Sequence, residues 1–382
     1  MPAPTITVLG DPMVSYAMGM TFGLGIIGCG GIGNVHAQAA RRAGVKIVGA
    51  WDILPARAEL LIQEHGSREG LGSKAAPSID ALLAMKGVDA VVVAVPNDRH
   101  CECACAALKA GKHVLLEKPM ALSTAQCDEI IAAASASAGR LQIGFVCRGS
   151  PAALTVKQWI DAGRFGEIYH IKASLYRRRG IPGLGGWFTN KKHSGGGPLI
   201  DLGVHVIDLA LHLAGHPKVE RVSGATWSKF GHPIGEYRYT SMWAGPPKID
   251  GIFDVEDGAT ALIRCAGGLT IEVNVTWAAN IPEGSIKDGI SIWGSHAGTH
   301  FDIFGKDVAI ATEEQGMLVD IKPQFDATNP MDQAWDQQYR HFQAMVMQGK
   351  TPFATGAQGR SLQAVIDAVY ESSNLNREVE IG

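Results

Sequence analysis

The chain is 382 residues long, 46% apolar and 19% charged, with a formal net charge of −3. That length suits two domains with a sizeable core, and the charge speaks against nucleic acid or an anionic membrane as the principal partner. No apolar run approaches the roughly 18 residues that span a bilayer, and residues 1–21 lack the basic stretch of a secretory leader. A cytoplasmic protein is expected. The seven cysteines, odd in number and mostly in apolar surroundings, fit reduced thiols better than a disulfide framework.

Residues 1–21 read as a weakly patterned N-terminal extension to which no chemistry is assigned. From Phe22 onward short apolar runs alternate with helical stretches: FGLGII (22–27), VKIVGAW (45–51), DAVVVAV (89–95), HVLL (113–116) and LQIGFV (141–146). Near-continuous Val/Ile runs at this spacing predict a parallel sheet covered on both faces, a doubly wound α/β domain over 22–147. Directly after the first run stands GCGGIG (28–33), leading into NVHAQAARRAG. A GxGxxG that follows a strand and opens a helix marks a dinucleotide site. Gly28 makes the tight turn, Gly30 admits a pyrophosphate, Gly33 lets helix and strand pack closely, and the helix start supplies the anion site. Gly28, Gly30, Gly31, Ile32 and Gly33 are therefore expected at the cofactor. Asp52 ends the second run about twenty residues on, where a carboxylate bonds the ribose hydroxyls and repels a 2′-phosphate. NAD is favoured over NADP, although Arg57 nearby is the residue type a 2′-phosphate would need.

Two further strand ends carry polar residues. AVPNDRH (94–100) and LLEKPM (115–120) place Pro96, Asn97, His100, Glu117 and Lys118 outside the carboxyl ends of strands, where the ligand crevice of an open α/β sheet lies. Taken alone, Lys118 fits a solvated loop equally well. The CECAC cluster at 101–105 has no second Cys/His pair at short spacing, so it reads as small buried thiols, and no metal is expected.

Beyond Arg148 a helix near 152–162 and a second over 198–214 precede runs of β character: KVERVSGATWSKF (218–230), GATALIRC (258–265), LTIEVNVTWA (269–278) and ISIWG (290–294). Their alternation predicts a large, open, mostly antiparallel sheet in an α+β domain over 148–382, closed by helices at about 333–348 and 357–375. The 198–214 helix lies within SGGGPLIDLGVHVIDLALHLAG (194–215), an apolar segment that carries Asp201, His205, Asp208 and His212. At about 100° per residue these four fall within roughly a 60° arc, with apolar residues over the remaining circumference. A helix apolar all round is buried, so the arc must find partners or line a wet cavity. An isolated Asp201–His205 pair would simply satisfy itself in a core, and as metal ligands the two lack a third at short range.

In this order and spacing, GCGGIGNVHA, AVPNDRH, LEKP and SGGGPLIDLGVHVIDLALHLAG resemble the glucose-fructose oxidoreductase, inositol dehydrogenase and MocA-like (Gfo/Idh/MocA) family, from Phe22 to the end. The resemblance implies a Rossmann domain that binds NAD or NADP, an open antiparallel sheet that pairs in homodimers or homotetramers, and hydride transfer to or from a sugar, glycoside or polyol. It also implies Lys118, Asp201 and His205 as the catalytic constellation. His205 suits the hydroxyl proton, Lys118 the developing oxyanion or a share of that proton, and Asp201 the orientation of the imidazole or a neighbouring substrate hydroxyl. Asp208 and His212 continue the arc away from the reaction. Arg148, Trp187 and Lys191 are expected to meet the substrate, Trp187 by stacking on a sugar face and Lys191 by suiting an anionic sugar. One departure is GFVCRGSP (144–151), with Val146 and Cys147 where many members carry Asn and Arg. Two other outcomes fit the same residues less directly. One is an NAD-dependent glycosidase working by transient C3 oxidation, elimination and re-reduction; the other is a non-enzymatic sensor, which would be expected to lose part of the Lys118, Asp201 and His205 set.

Overall fold

The computed structural model describes residues 22–67, 72–240, 244–282 and 284–381, so the N-terminal extension lies outside the described residues. A parallel strand buried on both faces needs apolar side chains at successive positions, and the first half of the chain provides them. β1 (Gly23–Ile27), β4 (Ala90–Val93) and β6 (Leu141–Ile143) are buried throughout. With β2 (Lys46–Trp51), β3 (Lys74–Ala75) and β5 (His113–Leu116) they form a parallel sheet in the order β3-β2-β1-β4-β5-β6. The order reverses between β1 and β4, which opens a crevice above their carboxyl ends. The crossovers run through α1 (Gly31–Arg42), α2 (Pro55–His65), α3 (Ile79–Leu83), α4 (His100–Lys109) and α5 (Thr124–Ser135).

The fifth apolar run ends sooner than its sequence suggests. After Ile143 the chain leaves the sheet at Gly144, where a Cβ would stand 2.9 Å from Glu117 Oε1, and Val146–Gly149 closes a 3₁₀ turn. The missing Cβ lets the backbone pass close to that buried carboxylate.

After α6 (Pro151–Asp161) comes a nine-stranded sheet in the order β14-β13-β12-β11-β7-β10-β9-β8-β15. Its strands are β7 (Ile168–Tyr176), β8 (Val219–Trp227), β9 (Gly258–Cys265), β10 (Thr270–Thr276), β11 (Gly289–Gly294), β12 (Ala297–Phe301), β13 (Ala309–Glu314), β14 (Met317–Ile321) and β15 (Val379–Glu380). All neighbours are antiparallel except β7 and β10, which pair in parallel with Tyr176 opposite Thr276. That exception sets the two strands' carboxyl ends side by side. The inner face of the sheet, with Ile171, Ala173, Ile271, Val273 and Ile292, packs over the helical segment that follows α7 (Lys191–Ser194).

That segment is not one regular helix. Leu199–Gly203 forms a π turn, and only Val204–Leu213 (α8) is α-helical. Glu256 shapes the irregular start: its carboxylate accepts from Leu199 N at 3.2 Å, and its carbonyl lies where a Cβ on Gly197 would stand. Lys191–Leu213 is long and apolar enough to cross a membrane by length and composition, contrary to the sequence expectation. It is, however, a core segment, with 89% of its most apolar window buried in the fold. The last two helices, α9 (Pro330–Gln348) and α10 (Gly356–Leu375), return to the first sheet. Ile143 N donates to Ala354 O at 3.0 Å, and Arg42 pairs with Asp336 at 2.8 Å.

Candidate active site

The glycine loop has the shape a pyrophosphate requires. Gly28 sits at φ +95°, with Ala94 O 2.4 Å from where a Cβ would stand, and a Cβ on Gly33 would lie 2.0 Å from Gly28 O. Both positions admit only glycine. Gly30 and Gly31 face open space, Ile32 is half-buried beside them, and no side chain caps the start of α1. Its first backbone N–H groups are thus available to an anion. Asp52 is nearly buried at the end of β2, where its carboxylate accepts from Cys29 N at 2.8 Å and Leu54 N at 2.9 Å. A carboxylate has about four acceptor sites, so capacity for two ribose hydroxyls remains. These residues fit a bound dinucleotide.

The neighbouring polar residues divide differently from the sequence expectation. Pro96 opens the turn after β4, but the Asn97 amide donates to Ser194 O at 2.8 Å and ties that turn to α7. The His100 ring is buried, with Nδ1 2.7 Å from Pro119 O and Nε2 3.0 Å from Val95 O. Glu117 is engaged on both oxygens, by His36 Nε2 at 2.9 Å and by Lys118 N at 3.1 Å. The side chains of these three thus have partners within the protein, where they brace the loops after β4 and β5. Burial alone would raise the Glu117 carboxyl, but His36 and Lys118 outweigh it and hold it below its ordinary value. His36 was not singled out from the sequence. It is fully buried, its Nδ1 meets Tyr339 Oη at 3.1 Å, and it links the glycine-loop helix to the Glu117–Lys118 loop and to α9.

Lys118, Asp201 and His205 converge. Lys118 Nζ donates to Asp201 Oδ1 at 3.2 Å and to the Asp201 carbonyl at 3.1 Å. Two residues missed in the sequence complete this cluster. Trp277 Nε1 donates to Asp201 Oδ2 at 3.0 Å, and Arg177 reaches the same oxygen at 3.8 Å. Each is the first residue past its strand, and the parallel pairing of β10 with β7 delivers both to one edge. The signals were present, a Trp closing LTIEVNVTWA and the first Arg of RRR, but only the parallel register makes them neighbours. Burial would raise the Asp201 carboxyl; Lys118, Arg177, the indole bond and His205 overcome that and hold it ionised. His205 stands with Nδ1 3.4 Å from Cys147 Sγ. Burial, and then the Lys118 ammonium, press the imidazole down to about 3, so it is neutral at pH 7. The result is a neutral imidazole, a lysine and a compensated carboxylate on one wall of the crevice.

The two outer members of the arc find partners of their own in the core. Asp208 points to Arg148, which it binds through both oxygens at 2.6 and 2.8 Å, and His212 lies against His216 and Phe353. This corrects the expectation for Arg148. It is 1% exposed, and its Nη1 donates to Phe353 O and Gln358 Oε1, so the side chain is held inside the fold. Lys191 is corrected as well: its ammonium lies 5.8 Å from the Tyr370 ring centroid, beside a cavity of about 480 Å³ that Asp367 and Glu371 of α10 also line. Opposite charge and the ring face draw it toward α10. Trp187 stacks on Phe188 at 3.9 Å, which covers one face of the ring. Among the described residues no group of three His, Cys, Asp or Glu side chains is placed to hold a metal ion.

Fold and site together define a nicotinamide-dinucleotide oxidoreductase, and the chain belongs to the Gfo/Idh/MocA family. The family model described as an oxidoreductase family with an NAD-binding Rossmann fold matches residues 22–145, and the GFO/IDH/MocA C-terminal domain matches 153–303. Over 363 residues, 93% of this chain and 96% of the relative, it is 31% identical to D-glucoside 3-dehydrogenase of Escherichia coli (strain K12). An oxidoreductase domain protein from Kribbella flavida superposes with a TM-score of 0.80 at 25% identity, covering 95% of this chain and all of that one. Levoglucosan dehydrogenase in complex with NADH shares the fold with the same score at 20% identity, over 95% of this chain and 100% of its own.

Proposed function

We propose that this chain is an NAD-dependent dehydrogenase that oxidises a ring secondary alcohol of a sugar or glycoside, with C3 of a hexopyranoside as the leading carbon. The observation that carries the reading is the convergence of Lys118, Asp201 and His205 beside the glycine loop. Near-full-length similarity to a D-glucoside 3-dehydrogenase supports the substrate class. When bound, the dinucleotide would accept the hydride of the carbinol carbon. Asp201 holds the Lys118 ammonium against the crevice wall, Lys118 exchanges the hydroxyl proton while His205 bonds the same oxygen, and Arg177 adds a second cation that favours a developing alkoxide. Asp52 favours NAD, because a 2′-phosphate would meet its carboxylate.

The same reading includes a homo-oligomer built through the outer face of the nine-stranded sheet. There Tyr169 and Trp293, 49% and 44% exposed, form an edge-to-face pair on adjacent strands. Analytical ultracentrifugation checks this, and a monomer at micromolar concentration contradicts it.

The catalytic test supplies NAD or NADP with free sugars, polyols and chromogenic glycosides, neutral and anionic, and records NADH absorbance and aglycone release together. Stoichiometric NADH without aglycone release supports the dehydrogenase. Aglycone release that requires NAD but accumulates no NADH replaces it with a redox-assisted glycosidase.

A further inference from the structure

The Val146–Gly149 turn touches α8 at two consecutive residues. Arg148 grips Asp208 with hydrogen bonds of 2.6 and 2.8 Å, while Cys147 Sγ lies 3.4 Å from Nδ1 of His205, about one turn earlier on the same helix. The bidentate grip sets the spacing between turn and helix, which leaves the thiol little freedom to move away from the imidazole. Cys147 is 3% exposed. Burial pushes its thiol up to about 12, so the sulfur keeps its proton. The S–H is a weak donor, and among the described residues His205 Nδ1 is the side-chain atom that meets this sulfur. A proton on Nδ1 would instead leave the S–H without that acceptor.

We propose that Cys147 is a positioning residue: its S–H bond to Nδ1 holds His205 as the Nε2–H tautomer, so the imidazole donates a hydrogen bond to the carbinol oxygen while Lys118 exchanges the substrate's proton. The second half of this statement rests on the oxidoreductase reading above. In oxidation the carbinol C–H hydride would pass to the bound dinucleotide and the O–H proton to Lys118, which must first release a proton of its own to solvent; His205 keeps its own N–H, and Cys147 keeps its S–H. The groups that face His205 are Cys147 from the turn, Lys118 and Glu117 from the loop after β5, Asp201 from the π turn and Arg177 from the end of β7.

Nitrogen-15 NMR of histidine-labelled protein reads the tautomer without any turnover, with His205→Gln used to assign the signal. The expected result is a bare Nδ1 and a protonated Nε2 in the wild-type protein, a mixture in Cys147→Ala, and recovery in Cys147→Ser, whose hydroxyl donates in the thiol's place. A proton on Nδ1 in the wild-type protein, or an unchanged tautomer in Cys147→Ala, overturns the proposal. If Cys147→Ala does not fold, the wild-type spectrum alone decides. In kinetics Cys147→Ala lowers kcat about fivefold at unchanged KM, the scale of one ordinary hydrogen bond, and Cys147→Ser restores it. His205→Gln, which keeps a donor at the ε position, retains more turnover than His205→Ala; equal loss in the two makes His205 the base and overturns the assignment. An Nε2–H tautomer in a protein that oxidises no carbinol supports the role of Cys147 and overturns the oxidoreductase reading, so the two failures are separable.

Discussion

Two cation–carboxylate pairs stand at either end of the same core segment, and they are built differently. Arg148–Asp208 is bidentate at 2.6 and 2.8 Å, with both side chains 1–2% exposed. Lys118–Asp201 is a single contact of 3.2 Å with the lysine 17% exposed and Arg177 waiting 3.8 Å away. The first is closed off from solvent with four of the guanidinium's five N–H groups bonded, so it is a strut. The second keeps a compact, reorientable ammonium next to an open crevice, so it can respond to a substrate. A buried ion pair is therefore not a site by virtue of burial; spare capacity distinguishes the two.

Substitution separates them most sharply. Lys118→Ala is expected to lower kcat by about 10² to 10⁴-fold while the fold and dinucleotide binding persist, checked by steady-state kinetics beside thermal unfolding. Arg148→Ala should do the reverse. It strands the buried Asp208 carboxylate and costs about 3–5 kcal/mol in urea unfolding, with the sugar KM of the remaining folded enzyme unchanged. Unchanged stability with a raised KM would return Arg148 to the substrate. Smaller in effect, Trp277→Phe removes the indole donor to Asp201 Oδ2 and is expected to cost about 1–3 kcal/mol together with part of kcat.

A pH effect comes from three histidines of the same segment. His205 and His212 are pressed down to about 3 and His216 to about 4, chiefly by burial, from an ordinary 6.5. The unfolded chain therefore binds more protons than the folded one between pH 6.5 and about 3–4, and stability falls as pH drops through that window. Asp201 and Glu117, held low in the fold, extend the loss to more acid pH. A thermal midpoint that rises between pH 6.5 and 4 would contradict this.

How much of this was legible followed from where the information lies. The parallel sheet was readable because burial on both faces writes itself as continuous Val/Ile runs, and β9 was placed at its observed bounds for a related reason, its inner Ala259, Ala261 and Ile263 alternating with half-exposed residues. β7 escaped because only Ile171 and Ala173 are buried along it, and His170, Lys172 and Ser174 dilute the signal. β13 and β14 are short and exposed, with Leu318 90% exposed, so no pattern marks them. In the site, Lys118, Asp201 and His205 came from motifs, whereas Arg177 and Trp277 depend on a pairing between strands about a hundred residues apart, and long-range register is not a local property. The helical arc was drawn on one 3.6-residue period, and the π turn over Leu199–Gly203, where Leu199 N donates to Glu256, is a local departure that the pattern does not show.

The central claim is tested most directly by following one hydrogen. A methyl glucoside carrying deuterium at C3 is turned over with NAD, and the reduced dinucleotide and the sugar product are examined by mass spectrometry. The account predicts one deuterium on the dinucleotide per 3-keto sugar formed; deuterium released to solvent, or a ketone at another carbon with the label still in the sugar, contradicts it.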